Sequence, residues 1–579
     1  MVNAMRKTFA LLIGFVLVFT LVAAYTSPVA TQLTSADEYL LSLISNKPGN
    51  EHIVVIVTTK HPVTSYIDDL EKTGVSVRYV YPAVDAVSIK LPIAKLFLLE
   101  RLDFVQRIYS NVRIRIADGA TYDSSGSISA TGITFTANLD RIKVEYAWAR
   151  GYMGNGTTIC IIDTGIDASH VSLDDLDDNP NTDDPKVIGW LDLVNNKTSP
   201  YDDEGHGSHV AGIAAGTPSP SGLAIGVAPG AWLVGIKVLN ENGTGTEEAL
   251  LAAFQWILDH KDDYHGIDVV SMSLSADIPA NMTTGVLLID QMTDMLVMNG
   301  MVVTVAAGNA GPDSMSLGTP SSSRMAITVG NVEIKGASSP VADSSSRGPT
   351  WDGRVKPEVT APGTQITSVA ANTHDKYVQH TGTSMATPHV AGLAAILRQV
   401  NPDLSPLAIK YVITNTSIST DRTVTTRPDN IEGYGLIQVD RAIRGAQAID
   451  GIPEITMTID VPNQVSIGNN VTVTVTTDQP NVSIYMSLIA PNGTIIDAVA
   501  GWTDENGEGV LSLQTFDEYE EGDYTIRVVG YKLGFEWVMK EDKVSLTHGL
   551  PLETTLMIVG VVAIILIGVA LYMIKFRKR

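Results

Sequence analysis

Three short segments of this 579-residue chain each place a reactive side chain beside glycines where a strand or loop gives way to a helix. In Ile161-Ile162-Asp163-Thr164-Gly165-Ile166-Asp167 an apolar strand ends on a carboxylate. In Gly205-His206-Gly207-Ser208-His209-Val210-Ala211-Gly212 an imidazole opens a helix of very small residues, which can press close to its neighbours and hold the ring still. In Gly382-Thr383-Ser384-Met385-Ala386-Thr387-Pro388-His389-Val390-Ala391-Gly392 a hydroxyl stands at the start of a second helix, whose first backbone N–H groups have no partner within the helix. A serine hydroxyl is a poor nucleophile until a base takes its proton, and the base must be held in one tautomer by an acceptor on its far side. Asp163, His206 and Ser384 supply those three roles. Attack on a carbonyl creates an oxyanion that needs donors, and Ala306-Ala307-Gly308-Asn309 puts an amide side chain at a strand end. Asp167, Ser208, His209 and His389 read as packing around these groups, and Cys160 as a core residue of an apolar strand.

The elements that must position these groups follow from the apolar pattern. From 141 to 450 short apolar runs (Ile159 to Ile162, Trp232 to Val238, Val269 to Met272, Met301 to Ala306) alternate with helical patterns (His206 to Ala215, Thr246 to His260, Thr284 to Met298). Such alternation predicts right-handed crossovers and an α/β domain whose parallel sheet is covered on both faces, with its site at the carboxyl edge of the strands. Residues 50 to 116 read as strand, helix, strand, strand, helix, strand, a βαββαβ unit of ferredoxin-like type whose final strand runs from Val105 to Ile114. Residues 117 to 140, rich in Ser, Thr, Gly and Ala, read as a cleavable linker. Residues 452 to 548 alternate as β-strands with turns at Pro491-Asn492-Gly493 and Glu505-Asn506-Gly507, predicting a β-sandwich that acts as a spacer or stalk.

The chain order Asp, His, Ser separates this constellation from two other serine-based arrangements. A Gly-x-Ser-x-Gly elbow is missing around Ser384, which removes an esterase of the α/β-hydrolase type. Over about 142 to 449 the sequence resembles the subtilisin-like serine proteases. The resemblance implies a serine endopeptidase that cuts proteins and peptides through an acyl-enzyme and needs no cofactor for its chemistry. It assigns the oxyanion hole to the Asn309 side chain and the Ser384 backbone N–H. Substrate binding falls by the same likeness to Ser273, Leu274 and Ser275, as an edge strand pairing with the peptide, and to Ala306, Ala307 and Gly308 as a wall of the pocket for the residue before the cut. The family often has glycine at the position of Ser275. The βαββαβ unit resembles the family's propeptide, an intramolecular inhibitor, so self-cleavage is expected between about Ile116 and Asp140.

Charge and the two ends bound the remaining partners. With 39 basic against 63 acidic side chains the formal net charge is −24, which repels phosphates and argues against nucleic acid. The single cysteine permits no intrachain disulfide. Residues 1 to 25 carry Arg6 and Lys7, an uncharged run and small residues at Ala23 and Ala24, the layout of a signal peptide. Residues 554 to 574 are uncharged and long enough to cross a bilayer, and the basic tail 575 to 579 follows. Together these predict a cell-surface zymogen on one C-terminal transmembrane helix, retained or shed, with its catalytic domain outside. The acidic stretch holding Asp174, Asp175, Asp177, Asp178, Asp183 and Asp184 suits either a structural calcium ion or a solvated loop. A competing function is a catalytically inactive cell-surface binding protein.

Overall fold

The computed structural model describes residues 37–45, 47–117, 136–176, 182–218, 226–276, 278–420, 426–491, 495–516 and 519–548. The signal segment, residues 118–135 of the linker and the expected transmembrane helix lie outside these residues, while the linker's last residues open the helix Thr136–Ile142. Among the described residues no helix is long and apolar enough to cross a membrane.

The chain's middle forms the expected parallel sheet. Seven strands lie in the order Val359–Pro362, Ile327–Val332, Val302–Ala306, Val269–Met272, Thr158–Asp163, Trp232–Lys237 and Val187–Asp192, each parallel to its neighbour. Alternation along the Thr158–Asp163 strand sends Ile159 and Ile161 into one core and Cys160 and Ile162 into another. The first core is closed by the helices His206–Ala215, Thr383–Val400, Pro406–Thr416 and Val439–Ala448. The second is closed by Glu247–Asp259 and Leu288–Met298. The hydroxyl of Thr246 caps the former of these two by accepting from the Ala249 N–H, as its position before two glutamates predicts. The Leu288–Met298 helix starts four residues later than its sequence pattern suggests.

The N-terminal unit is a four-stranded antiparallel sheet in the order Ser76–Tyr81, Ala86–Pro92, His52–Thr59, Val105–Ser110, the ferredoxin-like arrangement. One expectation fails here. The final strand ends at Ser110, and after Asn111 and Val112 a separate strand, Arg113–Ile116, leaves this sheet and joins the α/β domain.

The C-terminal unit is a β-sandwich of a three-stranded and a five-stranded sheet around its own apolar core. It does not stand off as a separate stalk. Tyr531 packs in the second core of the α/β domain, with the Lys410 ammonium 5.0 Å from its ring centre. The Trp502 indole N–H donates to the Asp352 carbonyl at 2.9 Å.

Candidate active site

The Thr158–Asp163 strand lies between Val269–Met272 and Trp232–Lys237 and delivers Asp163 at its carboxyl end. Two glycines then let the His206 helix approach. Gly165 adopts φ +133°, and a Cβ on Gly207 would collide with the Gly165 carbonyl and sit 3.1 Å from the Asp163 Cβ, so larger residues would wedge the two elements apart. Asp163 Oδ1 receives a 2.7 Å hydrogen bond from His206 Nδ1 and another of 2.7 Å from the Thr164 N–H. Acid and imidazole are both buried, at 1% and 0% exposure. Burial alone pushes the His206 pKa down, but the charge and hydrogen bond of Asp163, with Glu204 and Asp202 behind them, hold it above the ordinary imidazole value.

The loop before His206 is tied by Asp202, a residue sequence reasoning did not single out. Its Oδ1 accepts from the Thr164 hydroxyl (2.9 Å) and the Gly205 N–H (2.8 Å), and its Oδ2 from the Ser208 N–H (2.9 Å) and hydroxyl (2.7 Å). Asp167 and Ser208 belong to the same scaffold, with the Ser208 hydroxyl receiving the Asp167 N–H at 2.8 Å. His389 is a buried helix residue whose Nδ1 meets the Met385 carbonyl at 2.9 Å. Cys160 lies in the core, where burial pushes its thiol pKa up. These are the packing roles expected of them.

Ser384 opens the Thr383–Val400 helix. Its Oγ donates to the Ser273 carbonyl at 3.2 Å, and the Ser273 hydroxyl donates to the Ser384 carbonyl at 2.8 Å. His206 Nε2 is buried without a hydrogen-bond partner, so the hydroxyl-to-imidazole hydrogen bond is not made in this state. Asn309 joins the same cluster, because its Oδ1 accepts from the Thr383 N–H at 3.0 Å. Its Nδ2 donates to the carbonyl of Ala117 at 2.9 Å.

That last contact comes from the relocated strand. Arg113–Ile116 runs antiparallel between Leu274–Ala276 and Thr244–Thr246, pairing Ile116 with Leu274, Arg115 with Ser275 and Ile114 with Ala276. The Ala117 N–H reaches the Ser273 carbonyl at 3.4 Å and the Ile116 N–H reaches the Gly243 carbonyl at 3.0 Å. Ser273, Leu274 and Ser275 therefore hold an extended peptide. Their counterpart on the other side, Thr244 to Thr246, was not anticipated, since its Thr-Gly-Thr run carries no strand pattern. Ala306 ends the Val302–Ala306 strand, and Ala307 and Gly308 continue from it to Asn309. The Gly308 N–H donates to the Thr383 hydroxyl at 3.2 Å.

The acidic loop behaves differently. Asp174, Asp175, Asp183 and Asp184 are described, whereas Asp177 and Asp178 lie outside the described residues. Among the described residues no three carboxylates, imidazoles or thiols gather as a metal site. No calcium ligand set is assigned.

Comparison with known proteins agrees with this geometry. The model of the subtilase family matches residues 154–435. The chain is 38% identical to serine protease AprX of Bacillus subtilis, over 50% of this chain and 67% of that protein. It is 34% identical to subtilisin DY of Bacillus licheniformis, over 53% of this chain and 98% of that protein. Among solved structures, fervidolysin from Fervidobacterium pennivorans, described as a keratinolytic enzyme related to subtilisin, superposes with a TM-score of 0.57. That match covers 86% of this chain and 77% of the other at 21% identity, a likeness of fold.

Proposed function

Because the chain belongs to the subtilase family and is a serine protease, we propose that it is an endopeptidase made as a self-processing zymogen, with Ser384 as nucleophile, His206 as base and Asp163 as the base's partner. In this mechanism the Ser384 side chain turns from the Ser273 carbonyl toward His206 Nε2, which takes its proton as Oγ attacks the substrate carbonyl. Asp163 steadies the imidazolium that forms. The Asn309 amide and the Ser384 backbone N–H hold the oxyanion. His206 then returns the proton to the departing amine, and water repeats the sequence to free Ser384 from the acyl group.

The observation that carries this proposal is the Ala117 carbonyl on Asn309 Nδ2, beside Ser384 and the Asp163–His206 pair. It supports residues 50 to 116 as an inhibitory propeptide that fills the cleft through its own end, with processing inside 117 to 140. Export and a single anchor at 554 to 574, with the tail 575 to 579 in the cytosol, are supported by the charge pattern of those segments. Ser384→Ala tests the central step. The variant should hydrolyse no peptide, resist labelling by a serine-directed phosphonate and accumulate as full-length precursor. Normal maturation in that variant would assign processing to another protease.

A further inference from the structure

The Arg113–Ile116 strand and Ala117 report which substrates the cleft accepts. Resting on the proposed serine endopeptidase reading, we propose that the site cuts on the carboxyl side of small residues, with branched aliphatic side chains at the second and fourth positions before the cut, and that Ser275 sets the small-residue preference.

The register identifies the positions. The carbonyl at the Asn309 donor belongs to the residue before the cut, here Ala117. Counting back, Ile116, Arg115 and Ile114 are the second, third and fourth positions. Side chains alternate along an extended strand, and burial follows that alternation. Ile114 is 0% exposed and Ile116 7%, both within the core formed with Leu274, Ala276 and Leu239, while Arg113 is exposed and Arg115 only half-buried. The opposing strand is shaped for these side chains. A Cβ on Gly243 would collide with the Ile116 Cδ1, and one on Gly245 would crowd the Ile114 Cγ1 at 3.2 Å. Space for the Ile116 side chain is thus made by the missing side chain of Gly243, whereas a Cβ on Gly245 would meet the Val238 carbonyl before it met Ile114.

Ala117 shares its face of the strand with Arg115, yet it is fully buried. Arg115 pairs with Ser275, so Ser275 lies on that face too. The Ala276 N–H bonds the Thr319 carbonyl at 2.8 Å in an isolated antiparallel bridge, which fastens the Gly318-Thr319 segment against this strand. A Cβ on Gly318 would strike the Ser275 hydroxyl. The Ser275 hydroxyl therefore fills room beside Gly318 that a glycine at 275 would leave open. Ala117, on the same face, is already fully enclosed with only a methyl group as its side chain.

The test uses the matured full-chain enzyme and peptides of the form Ile-Arg-Ile-X followed by a chromogenic leaving group. With X as Ala, kcat/KM should exceed that with Phe or Arg by about 10-fold or more, the scale on which pocket size discriminates. Replacing the first Ile with Gly should lower kcat/KM by a similar factor. Ser275→Gly should narrow the ratio of Ala to Phe by about 10-fold, a change in ratio that a general loss of folding does not produce. In the precursor, Ala117→Phe should slow self-cleavage while Ala117→Ser preserves it, and the released fragment should end at Ala117 by mass. Efficient hydrolysis with Phe or Arg favoured, an unchanged ratio in Ser275→Gly, or a fragment ending elsewhere would overturn the specificity assignment while leaving the protease intact. Absence of both hydrolysis and phosphonate labelling would remove the endopeptidase reading and the specificity with it.

Discussion

Asn309 holds two partners with one side chain, since its oxygen accepts from the Thr383 N–H and its nitrogen donates to the Ala117 carbonyl. Asn309→Ala should lower kcat by about 10²- to 10³-fold with a much smaller change in KM, because the lost donor acts on charge that develops only in the transition state. Steady-state kinetics on a small peptide separates the two constants. His206 must be neutral to act as a base, and its pKa is held above the ordinary value by Asp163 despite burial. The acid limb of kcat/KM should therefore have its midpoint above about 6.5, the unperturbed imidazole value. A pH profile centred well below that would show that the Asp163 contact is lost once the cleft is vacated.

The N-terminal four-stranded sheet docks on the first turn of the Glu247–Asp259 helix. Glu248 Oε1 accepts from Arg78 Nε and from the Ser88 hydroxyl, each at 2.6 Å, and the Glu248 N–H is capped by the Asn111 side chain at 2.9 Å. Glu247 is buried beneath Val112, whose N–H it receives at 3.3 Å, and burial lifts its pKa to about 8, with Asp37 and Asp290 adding to the effect. A folded-state pKa above the unfolded one gives stability that is full below the unfolded value and lost as pH rises through the folded value. In a Ser384→Ala precursor, Tm should fall between about pH 4.5 and 8 more steeply than in the same precursor carrying Glu247→Gln. Equal slopes would mean that Glu247 is ionised in the zymogen. Such contacts were only half legible. The two glutamates opening a helix could be read as dipole partners, but their neighbours in the N-terminal unit lie more than a hundred residues away, beyond any local pattern. Similarly, alternating apolar residues continue through Val112 and Ile114, so the change of sheet at Asn111 leaves no mark in the periodicity. The site itself was far more visible, because Asp163, His206 and Ser384 each sit where a strand or helix ends, and glycines flank each of them. Asp202 went unnoticed because a carboxylate that only ties a loop looks like any solvated aspartate.

Catalytic domain, N-terminal unit and β-sandwich meet as three bodies. Arg107 of the N-terminal sheet pairs with Asp497 of the sandwich at 3.3 Å, and Lys60 with Glu520 at 3.2 Å. These partly exposed pairs contribute about 0 to 1 kcal/mol each, so they orient the sandwich more than they hold it. The holding is done by burial, above all at Tyr531. Tyr531→Ala should cost about 3 to 5 kcal/mol and lower the melting temperature of the catalytic domain as well as the sandwich. A loss confined to the sandwich would show that the two units melt independently. No cystine contributes to any of this stability, since the chain's single thiol is sealed in the sheet. The protease therefore has no bridge for a reductant to open and no accessible sulfhydryl for an oxidant to exploit. It should keep working in thiol-rich surroundings that unravel cystine-crosslinked proteins, an outcome that peptide hydrolysis measured with and without added reductant would show.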